Sequence, residues 1–517
     1  MYPGLIARSH PDKVAVVGVT SGMSTTFREL DARSAALAGY LRAQGLREGD
    51  AVAVFLENHP AYFDVAWAAL RGGFYLVTVS RHATADDAAY VIEDSGAKAV
   101  ISSSVLTDVA SICVAQTPQC SVRLMVGEPA PGWLDYGEIV STAVPLAIAD
   151  ERKGDHMPYS SGTTGRPKGI RRSFEPGPPN EGFAGFVQGQ ELYGMDLDTV
   201  YLSPAPLYHT APIQFCLRVQ AAGGTVVMME RFDAEQALQA IEHHRVTHSQ
   251  WVPTMFVRML KLPEAVRTQY DLSSHRCAVH AAAPCPVEVK RQLIDWWGPI
   301  VEEYYAGSER NGSTRISTRE WLEKPGSVGR PSNCVIHICD EDGKELPAGE
   351  AGIIYFEQPQ QSFIYHNAPE KTRDSLHPDH ANWSALGDVG YVDEDGYLFL
   401  TDRKSFMIIS GGVNIYPRMV EDVLILHPEV ADVAVIGVPN EEFGEEVKAI
   451  VEPAAGVAAS PDLEQRILDF ARENLAHYML PRSVDFLETM PRLPTGKLPK
   501  RILREPYWKD VSGIARI

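Results

Sequence analysis

The chain has 517 residues, a formal net charge of −20 at pH 7, 45% hydrophobic residues and 22% charged residues. Its length predicts two or more domains, and its composition is ordinary for a soluble globular protein. The acidic balance argues against nucleic-acid binding and against adhesion to anionic membranes, because both need a surplus of Lys and Arg. Seven scattered cysteines without a C-x-x-C pair indicate neither a disulfide framework nor a zinc site. With no apolar signal segment and no apolar run long enough to span a bilayer, we expect a cytoplasmic protein.

The first hundred residues alternate predicted helices with predicted strands. Thr26 and Glu29 have capping-box spacing, and Gly45 suits the position just after a helix end. Residues 51–56 and 74–80 predict buried strands, separated by a helix over 61–71. The helix between the capping box and Gly45 carries one apolar face: Phe27, Leu30, Leu37 and Leu41. This order is typical of a parallel sheet covered by helices, so the predicted fold class is α/β.

The predicted secondary structure changes twice in the later part of the sequence. Strand and helix alternate again over 224–252, and after about residue 325 short strands with Asp-Gly turns predict antiparallel hairpins. The last hundred residues predict a separate small α/β unit, with an amphipathic helix that begins at Pro461.

The segment "PYSSGTTGRPKG", residues 158–169, concentrates glycines, hydroxyls and cations in one loop. Glycine frees the backbone to turn its N–H groups inward, while hydroxyls and cations complement an anion. The pattern predicts a cradle for a polyphosphate. It is not the P-loop, because no Gly-Lys-Ser/Thr triplet follows.

Four further segments supply what a bound nucleotide needs. In "EEYYAGSERNG", a tyrosine face can stack on a purine and Glu309 can hold Mg²⁺. Asp388 is predicted in a Gly-bounded turn, where its carboxylate can accept both ribose hydroxyls. Arg403 precedes a Gly411-Gly412 pair, and Lys497 follows a Thr-Gly turn. Each residue alone is typical of a turn or a solvated surface, whereas the ordered set is specific.

Together these motifs resemble the adenylate-forming superfamily of acyl- and aryl-CoA synthetases, peptide-synthetase adenylation domains and beetle luciferases. "YSSGTTGRPKG" is similar to its phosphate-binding signature, "YYAGSE" to its Y-G-x-T-E signature and "LGDVG" to its ribose-binding signature. "DRKSFMIISGGVNIYP" resembles its hinge and glycine loop, and "PRLPTGKLPK" its catalytic-lysine segment. The resemblance implies a large N-terminal domain of helix-covered β-sheets plus a β-barrel-like part, residues 1–402. It also implies a small, mobile C-terminal α/β domain, residues 403–517, hinged near Arg403–Ser405.

The resemblance also implies site residues. The ATP-binding set is Ser160, Ser161, Gly162, Thr163, Thr164, Gly165, Lys168, Ala282, Tyr305, Ala306, Gly307, Ser308, Asp388 and Arg403. In it, Tyr305 stacks on adenine and Ser308 contacts the α-phosphate. The metal set is Glu309 and Thr164, and the catalytic set is Lys497, His209, Thr164 and Glu309. The acyl pocket is His209, Trp251, His280, Ala281 and Gly307. The thiol tunnel is Ser410, Gly411 and Gly412.

The implied reaction is ATP-dependent, Mg²⁺-assisted formation of an acyl-adenylate, followed by acyl transfer to coenzyme A. Transfer to an amine or to a carrier-protein thiol stays open as the alternative. The apolar lining favours a large apolar or aromatic acid, which leaves fatty, steroid side-chain and aromatic acids open. Arg310 and His280 are candidates to meet a polar substituent, with surface or core roles equally open for both. A homodimer is left open. The chain departs from the family pattern at Ala306, Ser308 and Ser405, and the last of these puts the tuning of the hinge in doubt.

Overall fold

A computed structural model gives the fold. It describes residues 2–160, 166–175, 177–403, 406–411, 413–440, 442–492 and 498–509, apart from the side chains of Asp402, Arg403 and Asn414. The α/β class is confirmed: large sheets covered by helices are followed by a small C-terminal unit with its own sheet. Within those residues, none of the helices is both long and apolar enough to cross a bilayer.

The first sheet has six parallel strands. In spatial order they are Leu134–Asp135, Val122–Val126, Ala97–Ser103, Ala51–Phe55, Tyr75–Thr78 and Asp155–His156. Every residue of Ala51–Phe55 is buried, because helices cover both faces of the sheet. The associated helices are Phe27–Ala43, Ala61–Gly72, Ala85–Asp94, Thr107–Gln116 and Tyr136–Thr142. The predicted capping box is present, and the predicted apolar face of that helix is buried.

The second sheet has thirteen strands and changes from parallel to antiparallel along its width. Its parallel part, after an antiparallel edge strand Ser24–Thr26, is Val14–Gly18, Thr225–Met228, Val200–Ser203, His248–Trp251, Cys277–His280 and Val301–Ala306. Its antiparallel part continues through Ser313–Ile316, Ser327–Pro331, Leu398–Arg403, Trp383–Val392, Gly352–Glu357 and Val335–Cys339. The predicted hairpins after residue 325 form this second part.

Helices of the second sheet join it to the first. They are Pro3–Ser9, Ala184–Tyr193, Thr210–Ala222, Ala234–His243, Pro253–Leu260, Glu264–Arg267, Val287–Trp297, Thr318–Glu323 and Pro369–Asp374. Trp67 of the first layer donates its indole N–H to Gln220 of helix Thr210–Ala222 at 2.8 Å, and both residues are buried. One hydrophobic core therefore runs between the two sheets.

The C-terminal unit has a five-stranded sheet with cores of its own. Its strands are Ile408–Ser410, Val413–Ile415, Val430–Asn440, Gly444–Pro453 and Ser483–Phe486, and its helices are Pro417–Leu424, Pro461–Asn474 and Lys500–Trp508. Arg418 donates to the Leu400 carbonyl at 2.9 Å, and Lys261 contacts the Val430 carbonyl. The boundary at residues 402 and 403 stays a prediction.

Candidate active site

The predicted site residues follow the carboxyl ends of neighbouring parallel strands, where ligands bind in open α/β sheets. Trp251 ends strand His248–Trp251, and His280 ends Cys277–His280. Tyr305 and Ala306 end strand Val301–Ala306, and Gly307 to Glu309 form the turn after it. Since these strands are adjacent in the sheet, the fold brings the segments together.

Lys168, Glu309 and Tyr365 form one polar group. Strand Lys168–Arg171 pairs with strand Ile364–Tyr365, and Lys168 Nζ lies 5.0 Å from the centroid of the Tyr365 ring. The Tyr365 hydroxyl donates to Glu309 Oε1 at 2.9 Å. Burial lowers the pKa of Lys168, as does the nearby Lys371, while Glu309 raises it. The sequence analysis singled out Lys168 and Glu309 but missed Tyr365, which no local motif marks.

Tyr305 and Asp388 form a second pair. The Tyr305 hydroxyl donates to Asp388 Oδ2 at 2.6 Å, and the Tyr305 ring packs against Phe356 at 5.9 Å. The predicted turn at Asp388 is wrong: this residue lies inside strand Trp383–Val392. The flanking Gly387 has φ 82°, so glycine here provides an irregularity within a strand rather than a chain reversal. The backbone of Arg403 pairs with Asp388 across the neighbouring strand.

Ser308 contacts the start of helix Thr210–Ala222. His209 is the N-cap residue of that helix, and its ring contacts Tyr208 at 4.2 Å. The hydroxyl oxygens of Thr210 and Ser308 are 3.0 Å apart. Ser308, which is predicted to meet the α-phosphate, therefore contacts the chain neighbour of His209, which is predicted to line the acyl pocket.

Trp251 and His280 lie deeper than the other predicted residues. Trp251 is 1% exposed and donates to Ser249 Oγ at 2.5 Å. His280 is fully buried, and its Nε2 lies 3.4 Å from Glu303 Oε2, which also accepts from Lys290 at 2.5 Å. Burial lowers the pKa of His280 to about 3, so its ring is neutral. This location favours a core role for His280 over contact with a substituent of the acid.

The small residues of the set allow close approach of their neighbours. A Cβ on Gly307 would lie 2.1 Å from Leu386 Cδ1 and 2.8 Å from Glu309 Oε2, so a side chain at this position would require the side chains of Leu386 and Glu309 to shift. Ala281 is buried, and Ala282 has φ 73°, a left-handed conformation that is rare outside glycine. Gly411, at φ 57°, donates its N–H to the Phe443 carbonyl at 2.8 Å and directly follows strand Ile408–Ser410.

Several predicted residues lie outside the described residues. They are Ser161, Gly162, Thr163, Thr164, Gly165, Ser405, Gly412 and Lys497. Ser160 is described as the last residue of strand Tyr159–Ser160. The roles assigned to all of these residues stay predictions.

Two sequence profiles match the chain. That of the AMP-binding enzyme covers residues 6–366, and that of the AMP-binding enzyme C-terminal domain covers residues 419–497. The chain belongs to the AMP-binding enzyme family. This confirms the predicted membership of the adenylate-forming superfamily, whose curated members include acyl- and aryl-CoA ligases.

Individual relatives agree along nearly the whole length. A feruloyl-CoA synthase of Amycolatopsis sp is 33% identical over 511 residues, which cover 98% of each chain. The o-succinylbenzoate CoA synthetase of Bacillus subtilis, solved with an acyl-adenylate intermediate, superposes with a TM-score of 0.79 at 26% identity, over 100% of this chain and 99% of that one. An amide bond synthetase of Marinactinospora thermotolerans superposes with a TM-score of 0.80 at 27% identity, over 98% and 99%.

Proposed function

We propose that this AMP-binding enzyme activates a carboxylic acid with ATP, releases pyrophosphate, and transfers the acyl group from the acyl-adenylate to coenzyme A. The observation that carries this proposal is the grouping of Lys168, Tyr365 and Glu309 beside the Tyr305–Asp388 pair. A cation, an oriented carboxylate and an aromatic ring paired with a second carboxylate match the charge and shape of a nucleoside triphosphate.

On the nucleotide, each group has a distinct task. The Tyr305 ring offers a face to adenine, and Asp388, held by the Tyr305 hydroxyl, accepts from the ribose hydroxyls. Lys168 offsets charge on the departing pyrophosphate. Because an anionic acid must approach a polyanion, this charge compensation removes a large part of the Coulomb barrier.

The residues present fit a magnesium ion. Mg²⁺ usually takes one or two carboxylates together with substrate phosphates. Glu309 is 8% exposed and uses Oε1 to accept from Tyr365. No second hydrogen bond to this carboxylate occurs within the described ranges, which leaves Oε2 for a cation. When bound, Mg²⁺ supplies charge stabilisation at the phosphates.

Two further steps of the proposal involve the C-terminal unit. Lys497 would bridge the carboxylate of the acid and the α-phosphate during adenylation. Rotation of residues 403–517 would then bring the loop at Gly411 and Gly412 to the acyl-adenylate and form the thiol tunnel. A Cβ on Gly411 would lie 2.9 Å from Phe443 Cδ1, so glycine is what permits this close approach of the loop.

Coenzyme A is the proposed acceptor, and an amine is the second candidate. The likeness to an amide bond synthetase favours an amine, whereas the likeness to feruloyl-CoA synthase favours coenzyme A. The two acceptors make the same adenylate, so only the second half-reaction distinguishes them.

The test uses Lys497→Ala in two single-turnover assays. Adenylate formation from ATP should fall by roughly 100- to 1000-fold, comparable with the loss of an oxyanion-type donor, about 3–4 kcal/mol. Thioester formation from synthetic acyl-adenylate and coenzyme A should persist. If the parent enzyme releases no pyrophosphate with any acid, adenylation is wrong. If it forms adenylate but uses only amines, the acceptor is wrong.

A further inference from the structure

Gln214 and Arg310 meet next to the predicted acyl pocket. Gln214 lies one turn into helix Thr210–Ala222 and is 6% exposed. Arg310 follows Glu309 in the turn after strand Val301–Ala306, keeps an exposed side chain and has φ 52°. Its Nη2 donates to Gln214 Oε1 at 2.6 Å. The Glu309 side chain turns to Tyr365, whereas that of Arg310 turns to the helix that begins beside His209.

A chain of buried neutral groups fixes this contact. Thr78 donates its hydroxyl hydrogen to the Tyr208 carbonyl at 2.7 Å, so His156 Nε2, 3.2 Å away, must be the donor to Thr78. His156 Nδ1 then accepts from Gln214 Nε2 at 3.5 Å, and Gln214 must turn its oxygen to Arg310. Burial holds the pKa of His156 well below its usual range, as do Arg172 and Arg310, so the ring stays neutral. This series of hydrogen bonds orients the Arg310 guanidinium without neutralising its charge.

The surroundings of Arg310 carry more cations than carboxylates. Asp155 is paired with Arg172 at 2.9 Å, and Glu175 lies 3.6 Å from Lys153. Within the part of the chain that the structure describes, Arg310 has no carboxylate in salt-bridge range. The same holds for Arg218, which lies one turn beyond Gln214. The Arg218 guanidinium packs over the Phe215 ring at 4.9 Å, and its buried Nε has no hydrogen-bond partner among the described residues. A local positive surplus is unusual in a chain with a net charge of −20.

A guanidinium that is oriented by Gln214 and has no carboxylate in salt-bridge range among the described residues is complemented well by an oxygen of the ligand, because its fixed N–H fork forms strong charge-assisted hydrogen bonds with a carboxylate or carbonyl. We propose that Gln214 and Arg310 determine acid specificity, and that the acid carries a second oxygen acceptor, a carboxylate or a carbonyl, which binds Arg310. This inference rests on the proposed adenylation and names the substrate class for it. A purely apolar acid would offer the oriented guanidinium no hydrogen-bond acceptor.

The first experiment measures pyrophosphate release by the parent enzyme. It compares monocarboxylic acids with dicarboxylic and keto acids of equal carbon number, together with aryl acids with and without a ring carbonyl. We expect the oxygenated member of the best-matched pair to have a kcat/KM ~10- to 100-fold higher. Turnover of apolar acids with no such preference overturns the inference and leaves adenylation intact. No turnover of any acid overturns the proposed function itself.

The second experiment compares Arg310→Met and Gln214→Glu with a matched control, Arg245→Met. Arg245 is also exposed, has φ 53° and pairs with Asp271 at 3.0 Å, so its replacement tests the loss of a guanidinium from a similar backbone. Arg310→Met should abolish the preference through a higher KM for the oxygenated acid. Gln214→Glu should weaken it too, because it gives Arg310 a carboxylate. Arg245→Met should retain it.

The outcomes separate the acid from the nucleotide. If Arg310→Met raises the KM for ATP and leaves the ratio between acids unchanged, Arg310 serves phosphate and the inference is wrong. If Arg310→Met does not fold, Gln214→Glu decides alone: an unchanged ratio overturns the inference, and a reduced ratio supports it.

Discussion

The charged side chains at the two ends of the candidate site have different kinds of partner. At the nucleotide end, defined by Lys168, Glu309, Tyr365, Tyr305 and Asp388, each carboxylate accepts a tyrosine hydroxyl. At the acid end, defined by His156, Gln214, Arg310 and Arg218, the cations meet neutral groups instead. A tyrosine hydroxyl orients a carboxylate without cancelling its negative charge.

This difference separates what the family shares from what varies within it. Every member must hold the same nucleotide, so the nucleotide end can be complete within the protein. In the proposed function the acid end binds the carboxylic acid, and the relatives include a feruloyl-CoA synthase and an o-succinylbenzoate CoA synthetase, whose names give different acids. Charge left uncompensated by the protein at this end therefore carries information about the ligand.

Among the substitutions at the nucleotide end, Glu309→Gln should reduce pyrophosphate release most. It removes the charge that faces the proposed metal ion and keeps the shape, so we expect about a 100-fold loss of pyrophosphate release, or roughly 2–3 kcal/mol. The matched control is Glu235→Gln, because Glu235 also accepts from a tyrosine, Tyr270, at 2.9 Å. Near-normal rates for Glu309→Gln at low millimolar Mg²⁺ would contradict the metal role.

A second group of buried, neutral polar residues lies around His275, and it should make the free energy of unfolding depend on pH. His275 is buried, and its Nε2 lies 2.7 Å from Ser249 Oγ, which also accepts from Trp251 Nε1. The Ser249 hydroxyl that accepts this indole N–H can still donate its own hydrogen, and it donates to His275 Nε2 in the neutral tautomer that leaves this nitrogen unprotonated. Protonation of this nitrogen would remove the acceptor. Burial lowers the pKa of His275 to about 3, and the neighbouring His248 adds to this effect.

The expected sign follows from proton uptake. An unfolded histidine has a pKa of about 6.5, so the unfolded chain binds the proton first and stability falls as pH drops from about 6.5 towards 3. At pH 5 the loss from His275 should be about 2 kcal/mol. Urea unfolding at pH 8 and pH 5 would measure it, and His275→Asn should reduce the difference between the two pH values. An unchanged difference would mean that His275 is not held neutral.

Sequence patterns predicted many of the helices and strands, because helix caps, buried strands and turn residues are local signals. They also singled out Lys168, Tyr305, Glu309 and Asp388, whose roles at the nucleotide end stay predictions. They missed the partners that orient the charged groups. Tyr365 is 56 residues from Glu309, Gln214 is 96 from Arg310, and His156 is 58 from Gln214. No spacing rule links residues on separate strands and helices, so only the sheet order brings them together. Asp388 shows the converse error, since its flanking glycines suggested a turn and lie within a strand.

Tyr365→Phe should produce the smallest effect, and it tests most directly whether a tyrosine hydroxyl orients a carboxylate at the nucleotide end. It removes the hydroxyl that orients Glu309 but keeps the ring that packs against Lys168, so both the metal-facing charge and the cation contact survive. Losing one hydrogen bond to a carboxylate here should cost about 1 kcal/mol, roughly a five-fold change. If Tyr365 acts by positioning Glu309, that change should occur in the Mg²⁺ concentration needed for half-maximal pyrophosphate release, while the rate at saturating Mg²⁺ recovers. The control is Tyr270→Phe, which breaks a tyrosine–glutamate contact of the same 2.9 Å length away from the site. A loss that saturating Mg²⁺ does not rescue would show that the Tyr365 hydroxyl acts on the nucleotide or the fold and not through Glu309.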